Sequence, residues 1–406
     1  MKLGLIREGK NPPDKRVPLT PSQCLEVQQK FPQVEVYVQS SEVRAYKDEQ
    51  YKEIGIPVVD DVSNCDILMG IKEVPIKELI PNKKYMFFSH TFKEQPYNRD
   101  LLRAILEKKI QLIDYEVLTD INENRIIGFG RFAGIVGCYN GFLTYGKKHG
   151  LYNLKPAHEC EDRKELDREL SNVKLPSNTK IVATGFGRVG YGAREIFTTL
   201  GLREVSPEEF LTKEFNEPVY THLKAKDYYA RKDGKPFDRH AFFESGEGHE
   251  STFSRYLKVA DIYIAAHYWD SSSPYIFSRT DLKSESIKTS VVADISCDID
   301  GPVACTIRPS TIEDPIFGYD PQSESETDFM KPGAIAVMAV DNLPCELPKD
   351  ASEHFGNVLI EKVFPYLFGD DPDRIIERAS ETNLQGELMP DFAYLENYVY
   401  ARDQRN

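Results

Sequence analysis

The sequence predicts an α/β protein with parallel sheets, and three observations support this class. Apolar strand-like segments alternate with helix-like segments through the first third of the chain. A glycine-rich turn then separates a strand-like from a helix-like segment between Lys180 and Phe197. Further apolar strand-like segments follow that turn. Such alternation is typical of βαβ units, in which neighbouring strands run parallel.

The first third of the chain supplies the first set of elements. Thr20 and Pro21 suit the cap and the first position of the earliest helix. The predicted strands are Leu3–Arg7, Val34–Val38, Asp66–Gly70, Tyr85–Phe88 and Gln111–Asp114, and the predicted helices are Ser22–Lys30, Tyr46–Ile54 and Asn98–Lys108.

The mid-chain turn has the spacing Gly-x-Gly-x-x-Gly at Gly185, Gly187 and Gly190, directly after the predicted strand Lys180–Thr184. In a dinucleotide-binding turn, the first glycine permits the tight bend and the second lets the backbone approach a pyrophosphate. The third allows the helix to pack closely on the strand. The helix also offers its first N–H groups to the phosphates. Because strand and helix stand on both sides, we predict dinucleotide binding in a Rossmann-like domain rather than an ordinary glycine-rich loop.

The position of this turn predicts the domain organisation. Such a turn normally opens a dinucleotide domain, so the residues before it must form another domain, most simply one that holds the substrate. We expect two Rossmann-like domains with parallel sheets and a cleft between them. The predicted substrate domain is residues 1–135, completed by C-terminal helices in 345–406, and the dinucleotide domain is residues 136–344.

The predicted dinucleotide domain continues with strands Ile262–Ala266, Val291–Ile295 and Ala334–Ala339. The charged segment at about 203–256 is much longer than the usual connection in such a fold. We therefore predict that it is an insertion with helices of its own.

Composition narrows the class of partners. A formal net charge of −14 argues against nucleic acid and anionic membranes. The apolar stretch from Ile126 to Gly146 contains Arg131 and six glycines, which argues against a membrane span. Its glycines recur at helical spacing, which predicts a buried inter-domain helix, although a homo-oligomer contact would use the same stripe. Seven scattered cysteines without Cys-x-x-Cys predict reduced thiols in a cytoplasmic protein and no metal site.

Titratable side chains follow three of the predicted strands. Lys72, His90 and Glu116 each stand just beyond a strand end, where α/β sheets place their ligands. A lysine can act as a base if burial lowers its pKa, a histidine can donate a proton near neutrality, and Glu116 could tune the lysine by its charge. Arg16, in a proline-rich loop, could bind a carboxylate through two hydrogen bonds. Taken alone, Arg16 would more often be a surface residue and a lone histidine such as His90 more often a structural one.

Several motifs together resemble a known superfamily. Arg16-Val-Pro-Leu-Thr-Pro, Ile71-Lys-Glu-Val-Pro, His90, Glu116 and the mid-chain glycine turn occur in this order. They resemble the superfamily of alanine dehydrogenase, the nicotinamide-nucleotide transhydrogenase domain and lysine-forming saccharopine dehydrogenase. The later motifs that are similar to the saccharopine-forming branch, including lysine-ketoglutarate reductase domains, are Val292-Ala-Asp-Ile-Ser-Cys-Asp, Thr311-Ile-Glu-Asp-Pro and Val340-Asp-Asn-Leu-Pro.

The resemblance implies roles for named positions. Lys72 is implied as the general base and His90 as the general acid, with Glu116 as the third catalytic residue. The implied substrate-binding residues are Arg16, Lys93, Gln95, Arg125 and Phe129. The implied cofactor contacts are Gly185, Gly187, Arg188, Val189, Gly190, Asp294, Asp341, Asn342 and Leu343.

The implied activity is that of an NAD- or NADP-dependent oxidoreductase acting on a CH–NH group. In the family reaction, lysine and 2-oxoglutarate form an imine whose reduction gives saccharopine, and the reverse reaction releases lysine. An alanine-dehydrogenase-like enzyme would share Lys72 and His90, so it stays an alternative, although Lys93 and Arg125 favour a tricarboxylate. A nucleotide-sensing regulator without catalysis is a third hypothesis, disfavoured by the joint presence of the three catalytic candidates.

The choice between NAD and NADP stays open in the sequence. NAD-binding sites usually place a carboxylate about 20 residues beyond the glycine turn. Glu204 has roughly that offset, but Ser206 and Pro207 stand at the apparent strand end. This arrangement leaves room for a 2′-phosphate.

Overall fold

The computed structural model describes residues 1–11 and 13–400, and the chain divides into two compact units. Unit 1 contains residues 1–129 and the chain from 348 onward, whereas unit 2 contains residues 130–347. The expected boundaries were 135/136 and 344/345. The first differs because a helix that begins at Gly130 packs along its whole length within unit 2.

The N-terminal part of unit 1 forms six strands and three α-helices. These are β1 (Lys2–Leu5), α1 (Pro21–Lys30), β2 (Glu35–Gln39), α2 (Asp48–Lys52), β3 (Val58–Val59), β4 (Ile67–Met69), β5 (Lys84–Phe87), α3 (Arg99–Glu107) and β6 (Gln111–Asp114). The sheet order is β3-β2-β1-β4-β5-β6, and every neighbouring pair is parallel. The predicted parallel sheet is therefore confirmed, with β3 as an added short edge strand.

The start of α1 shows how local sequence sets an element boundary. The Thr20 hydroxyl accepts a hydrogen bond from the Gln23 N–H at 3.3 Å, and the Gln23 side chain accepts from the Thr20 N–H at 3.0 Å. Together they satisfy two N–H groups that the helix itself cannot pair. The predicted cap and the proline at the first position are both confirmed.

Unit 2 contains the larger sheet. The strands of this sheet are β7 (Lys180–Thr184), β8 (Arg203–Glu204), β9 (Val219–Leu223), β12 (Ile262–Ala265), β13 (Val291–Asp294), β14 (Ile316–Asp320), β15 (Ser325–Thr327) and β16 (Ile335–Met338). A separate antiparallel pair is formed by β10 (Tyr229–Arg231) and β11 (His249–Ser251). The α-helices of unit 2 are α4 (Gly130–His149), α5 (Arg163–Glu169), α6 (Arg188–Thr199), α7 (Pro207–Thr212), α8 (Ala225–Tyr228), α9 (Arg239–Glu244), α10 (Ser254–Leu257) and α11 (Arg279–Leu282).

The eight-stranded sheet of unit 2 has the order β15-β14-β16-β13-β12-β7-β9-β8. Its centre is parallel, but β14 runs antiparallel to both β15 and β16. The prediction of a purely parallel sheet is wrong at this edge. The β14–β15 pair is a hairpin, which needs only a short turn rather than a crossover helix.

The segment predicted as an insertion contributes two strands to the main sheet. Strand β9 lies directly beside β7, with Thr184 opposite Leu223, and β8 forms the edge beyond it. The insertion prediction is therefore wrong for the part that ends at Leu223. Thr221 and His222 are buried polar residues in the middle of β9, so this strand lacks the apolar run by which the other strands were recognised.

The glycine stripe of α4 is used for packing inside unit 2. A Cβ at Gly134 would lie 1.9 Å from the Val189 carbonyl oxygen, so the backbones of α4 and α6 approach closely here. Gly137 and Gly141 leave room for Ile295 and Ile264 of the sheet. In the described part of the chain, no helix is both long enough and apolar enough to cross a bilayer.

The C-terminal segment completes unit 1 with α12 (Pro348–Val358), a π-helical turn (Leu359–Val363), α13 (Phe364–Phe368), α14 (Ile375–Arg378) and α15 (Glu396–Tyr400). Phe355 and Phe364 lie in the same core as the strands of the N-terminal part. The chain then runs along β6, where the Asp114 N–H donates to the Ala379 carbonyl at 2.9 Å. The far edge of the parallel sheet is thereby covered.

Candidate active site

The three predicted catalytic residues come from three neighbouring strands. Lys72 follows β4, His90 follows β5 and Glu116 follows β6, and these strands are adjacent and parallel. Carboxyl ends of parallel strands meet at one edge of the sheet. The structure accordingly brings His90 and Glu116 together, with His90 Nε2 at 3.9 Å from Glu116 Oε2.

His90 is oriented by a carboxylate that the sequence analysis left out of the site. Its Nδ1 lies 2.7 Å from Glu73 Oε1. Burial raises the pKa of Glu73, but hydrogen bonds from His90 and Lys10 outweigh burial and lower this pKa to about 2. An ionised Glu73 can only accept a hydrogen bond, so the hydrogen of the neutral imidazole lies on Nδ1. This contact sets the tautomer of His90. The position of Glu73 beside Lys72 in the strand-end motif was the available signal.

Lys72 lies in surroundings that favour its neutral amine. Burial lowers its pKa, and the positive charge of Arg16 acts in the same direction, against the carboxylates of Asp14 and Glu73. The Lys72 N–H donates to Glu8 Oε2 at 2.9 Å, which anchors the backbone at this strand end. Burial also raises the pKa of Glu8 to about 8. A lysine with a lowered pKa can accept a proton closer to neutrality.

Arg16, predicted as a carboxylate ligand, is held by a partner that the sequence analysis missed. Its Nε and Nη2 donate to Asp14 Oδ1 and Oδ2 at 3.0 and 2.6 Å, and both side chains are buried. The guanidinium lies 4.1 Å from the centre of the Phe129 ring, which stacks on Phe355. The structure therefore places Arg16 and Phe129 in contact with each other, with Asp14 and Phe355 packed against them. The Asp-x-Arg spacing was the available signal.

Glu116 forms ion pairs with two of the predicted substrate-binding residues. Lys93 Nζ lies 2.8 Å from Glu116 Oε1, and Arg125 Nη1 lies 3.5 Å from the same oxygen. Gln95 is oriented elsewhere in the structure: its amide oxygen accepts from the Tyr97 hydroxyl, and its carbonyl accepts from the Tyr398 hydroxyl at 2.6 Å. The cluster of Lys72, Glu73, His90, Lys93, Glu116 and Arg125 is called the acid–base cluster below.

In unit 2, the three glycines of the turn have separate structural reasons. Gly185 has φ +97°, and a Cβ there would lie 2.1 Å from the Ala266 carbonyl oxygen. A Cβ at Gly190 would lie 1.8 Å from the Gly185 carbonyl oxygen. Gly187 is exposed and has no atom within 4 Å of its Cβ position. Gly185 and Gly190 shape the turn, and Gly187 leaves its surface open to an approaching ligand. This arrangement fits a bound dinucleotide.

The neighbouring strand β9 supports this turn. The His222 Nε2–H donates to the Gly185 carbonyl oxygen, and the Phe186 ring stacks on His222 at 4.1 Å. Burial lowers the pKa of His222 to about 4, so its ring is neutral at physiological pH. Just beyond β9, Lys224 Nζ lies 5.5 Å from the centre of the Phe186 ring. A lysine therefore stands beside the glycine turn.

Glu204, considered from its offset as a ribose ligand, lies on the edge strand β8. Its carboxylate accepts from Arg194 Nη2 at 2.7 Å and from the Tyr220 hydroxyl at 3.1 Å. The offset was misleading because the strand that follows α6 in sequence is not the neighbour of β7. That place belongs to β9.

The other implied cofactor residues are placed unequally. Asp294 is fully buried and accepts from the Ser296 and Thr306 hydroxyls at 2.6 and 2.7 Å, and burial raises its pKa to about 6. Leu343 is buried as well. The side chains of Asp294 and Leu343 therefore lie in the protein interior, where they support the surrounding backbone, rather than on a surface that a cofactor could touch. Arg188 and Asp341 are exposed, and Val189 and Asn342 are half-buried.

Comparison with solved structures identifies the class of fold. An L-alanine dehydrogenase superposes with a TM-score of 0.64 over 96% of both chains, at 16% sequence identity. Residues 4–136 match the family described as "Alanine dehydrogenase/PNT, N-terminal domain". The predicted α/β class with Rossmann-like sheets is confirmed, and alanine dehydrogenase is a neighbour in fold.

Sequence relatives are more specific. The mouse protein "Alpha-aminoadipic semialdehyde synthase, mitochondrial" is 29% identical over 99% of this chain, which spans 48% of that relative. The "Saccharopine dehydrogenase [NAD(+), L-lysine-forming]" of Yarrowia lipolytica is 26% identical over 80% of this chain and 82% of its own length. The chain thus spans about half the length of the first relative. The predicted resemblance to the saccharopine dehydrogenase group is confirmed.

Proposed function

We propose that this chain is a nicotinamide-dependent oxidoreductase that interconverts saccharopine with lysine and 2-oxoglutarate. The observation that carries the proposal is the acid–base cluster, in which Glu73 interacts electrostatically with Lys72, a lysine of lowered pKa, and orients His90 by a hydrogen bond. The similarity to lysine-forming saccharopine dehydrogenase supports the choice of substrates.

The side chains of unit 1 supply the proton transfers that imine chemistry needs. Lys72, whose lowered pKa favours the neutral amine, can accept a proton from the substrate ammonium group, which makes that amine a nucleophile towards the keto carbon. The carbonyl oxygen needs two protons to leave as water: His90 can give one and regain it from the amine nitrogen, and Lys72 can give the proton that it accepted. Lys93 and Arg125 offer positive charge to substrate carboxylates in exchange for their contacts with Glu116. A nicotinamide bound at the glycine turn supplies the hydride that reduces the imine.

We also propose that the cofactor is NADP rather than NAD. NAD-binding folds place a carboxylate for the ribose 2′-hydroxyl at the end of the strand next to the glycine turn. Here that strand is β9, and the residue after it is Lys224, whose ammonium lies against the Phe186 ring. A cation at this position favours the 2′-phosphate of NADP, whereas an NAD site would have a carboxylate here.

A steady-state assay tests the reaction. Lysine plus 2-oxoglutarate with reduced cofactor should turn over, whereas pyruvate plus ammonia should not. Lys72→Met and His90→Gln should each lower turnover at least about tenfold, because each removes one proton-transfer group. Cofactor affinity should be unchanged in both variants, which serves as the folding control. Turnover of pyruvate and ammonia alone would favour an alanine-dehydrogenase-like activity instead.

A charge reversal tests the cofactor. Lys224→Glu should weaken NADPH binding by about tenfold or more, the cost of one charge-assisted contact, and should improve NADH binding. Lys226→Glu is the matched control, because Lys226 is equally exposed and two residues further from the turn. Tighter binding of NADH than of NADPH by the unmodified chain would contradict the NADP proposal.

For location, we propose the cytoplasm. The support is chemical: all seven cysteines are free thiols, as expected in a reducing compartment. The mouse relative carries "mitochondrial" in its name, so a fractionation experiment decides between the two. Formation of a homo-oligomer stays a prediction, for which sedimentation is the direct measurement.

A further inference from the structure

A second pair of carboxyl groups lies buried behind the strand ends that carry His90 and Glu116. Asp114 ends β6, and Glu381 belongs to the C-terminal segment that runs along this strand. Both side chains are completely buried. The Glu381 N–H donates to the Leu112 carbonyl at 2.8 Å, which fixes the segment beside β6. No part of the proposed reaction uses this pair.

The pair is connected to the loop around His90 through two hydroxyls. The Ser89 hydroxyl donates to Asp114 and lies 3.1 Å from Glu381 Oε1. The Thr91 hydroxyl donates to Glu381 Oε2 at 2.6 Å. Asp114 also accepts the Ser89 N–H at 2.8 Å and the Glu116 N–H at 2.6 Å. The residues before and after His90, and the backbone of Glu116, are thus tied to one buried centre.

The two carboxyl groups must share a proton. The two side chains are hydrogen-bonded to each other, and their other hydrogen-bond partners among the described residues are hydroxyl and backbone N–H groups rather than basic side chains. Two uncompensated carboxylates would repel each other strongly in such an interior. Asp114 accepts two backbone N–H groups, which favour its ionised form. Burial and the charge of Asp114 raise the pKa of Glu381 well above its ordinary value, so Glu381 carries the proton.

His90 needs such support because its backbone is strained. Its φ of +56° lies in the left-handed region, which a residue with a side chain adopts only at an energetic cost. This conformation directs Nδ1 to Glu73. Both flanking residues are anchored to the buried pair, so the surrounding structure maintains the strained conformation.

We propose that Glu381 is a positioning residue of the acid–base cluster: as a protonated carboxyl group paired with Asp114, it fixes Ser89 and Thr91 and thereby holds His90 against Glu73. The catalytic consequence rests on the proposed function, but the structural one does not. Glu381 lies about 290 residues from the loop that it supports, so the C-terminal segment becomes part of the site's architecture.

The test compares variants in which Glu381 is changed by different amounts. Glu381→Gln keeps the size and the donor of a protonated carboxyl, so the His90 ring resonances and the turnover should stay near those of the unmodified protein. Glu381→Ala should shift the His90 ring resonances and lower kcat about tenfold or more, with cofactor affinity unchanged. If Glu381→Ala does not fold, the nearly isosteric Thr91→Val removes the same contact.

Thr382→Val is the matched control. Thr382 belongs to the same C-terminal segment as Glu381. Its hydroxyl forms hydrogen bonds with the backbone of Ile110 and Leu112 rather than with the carboxyl pair. It should lower stability without moving the His90 resonances. Equal shifts in Thr382→Val and Glu381→Ala, or none in Glu381→Ala, would overturn the positioning role. A Glu381→Gln that behaves like Glu381→Ala would overturn the shared proton. The NMR reading needs no substrate, so failure of the proposed reaction would appear separately, as absent turnover in the unmodified chain.

Discussion

The same substitution at two glycines of one turn should lower nucleotide affinity in both cases but should lower stability in only one. Gly190→Ala should lower stability and prevent nucleotide binding, because the new methyl group would overlap the Gly185 carbonyl. Gly187→Ala should leave stability within about 0.5 kcal/mol, because open space surrounds its Cβ position. Its NADPH affinity should still fall, since the methyl group blocks the approach of the pyrophosphate. Thermal unfolding and fluorescence titration measure both effects, and equal stability loss would refute the distinction.

The buried pair of Asp14 and Arg16 should be the most sensitive ion pair near the site. Asp14→Asn removes the negative charge that the buried Arg16 guanidinium pairs with, and breaking a buried ion pair in this way typically costs about 3–5 kcal/mol of unfolding free energy. Arg231 and Asp233 form the same two-bond contact on an exposed turn, so Asp233→Asn is the matched control and should change stability little.

The pH dependence of that pair follows from its pKa. Burial raises the pKa of Asp14, but the charge and hydrogen bonds of Arg16 outweigh burial and lower it to about 2, below the ordinary value of 3.8. A depressed folded-state pKa contributes stability above the ordinary pKa and loses it as the pH falls. The stability difference between the unmodified protein and Asp14→Asn should therefore be constant above about pH 4 and shrink towards pH 2. Denaturant titrations at several pH values provide the measurement.

At the scale of elements, α4 packs against the first turn of α6 and so supports the glycine turn that precedes this helix. Gly134→Ala would place a methyl group 1.9 Å from the Val189 carbonyl oxygen and force the helices apart. We expect a loss of about 2 kcal/mol or more, together with weaker NADPH binding, because Val189 belongs to the turn. A Cβ at Gly130 would meet Arg188 Cβ at 3.2 Å and Val189 Cγ2 at 3.4 Å, so Gly130→Ala should cost less. Similar losses in both variants would argue against this contact.

At the scale of the whole molecule, the two units differ in how the chain builds them. Unit 2 is one continuous stretch with its own core, whereas the core of unit 1 includes Phe355 and Phe364 from the C-terminal segment. A fragment of residues 130–347 should therefore unfold cooperatively and bind NADPH. A fragment of residues 1–129 should not unfold cooperatively, because its core would lose the buried residues of the C-terminal segment, among them Phe355 and Phe364. Circular dichroism melts compare the two, and a cooperative melt of 1–129 would contradict this expectation.

Local pattern was enough to predict most of the site. Lys72, His90 and Glu116 were identified because each follows an apolar strand, and parallel strands end at a common edge. The glycine turn was identified because its spacing and its flanking elements are local properties. Both the strand ends and the glycine turn are determined by a few consecutive residues, so they can be recognised without knowing the rest of the fold.

Tertiary structure decided what depends on pairing between distant segments. The strand beside β7 is β9 rather than the next strand along the chain, so Lys224 instead of Glu204 stands at the turn. Glu381 reaches the His90 loop only through the run of the C-terminal segment along β6. Strand order and long-range burial arise from the packing of the whole core, where many contacts compete, and no single segment encodes their outcome.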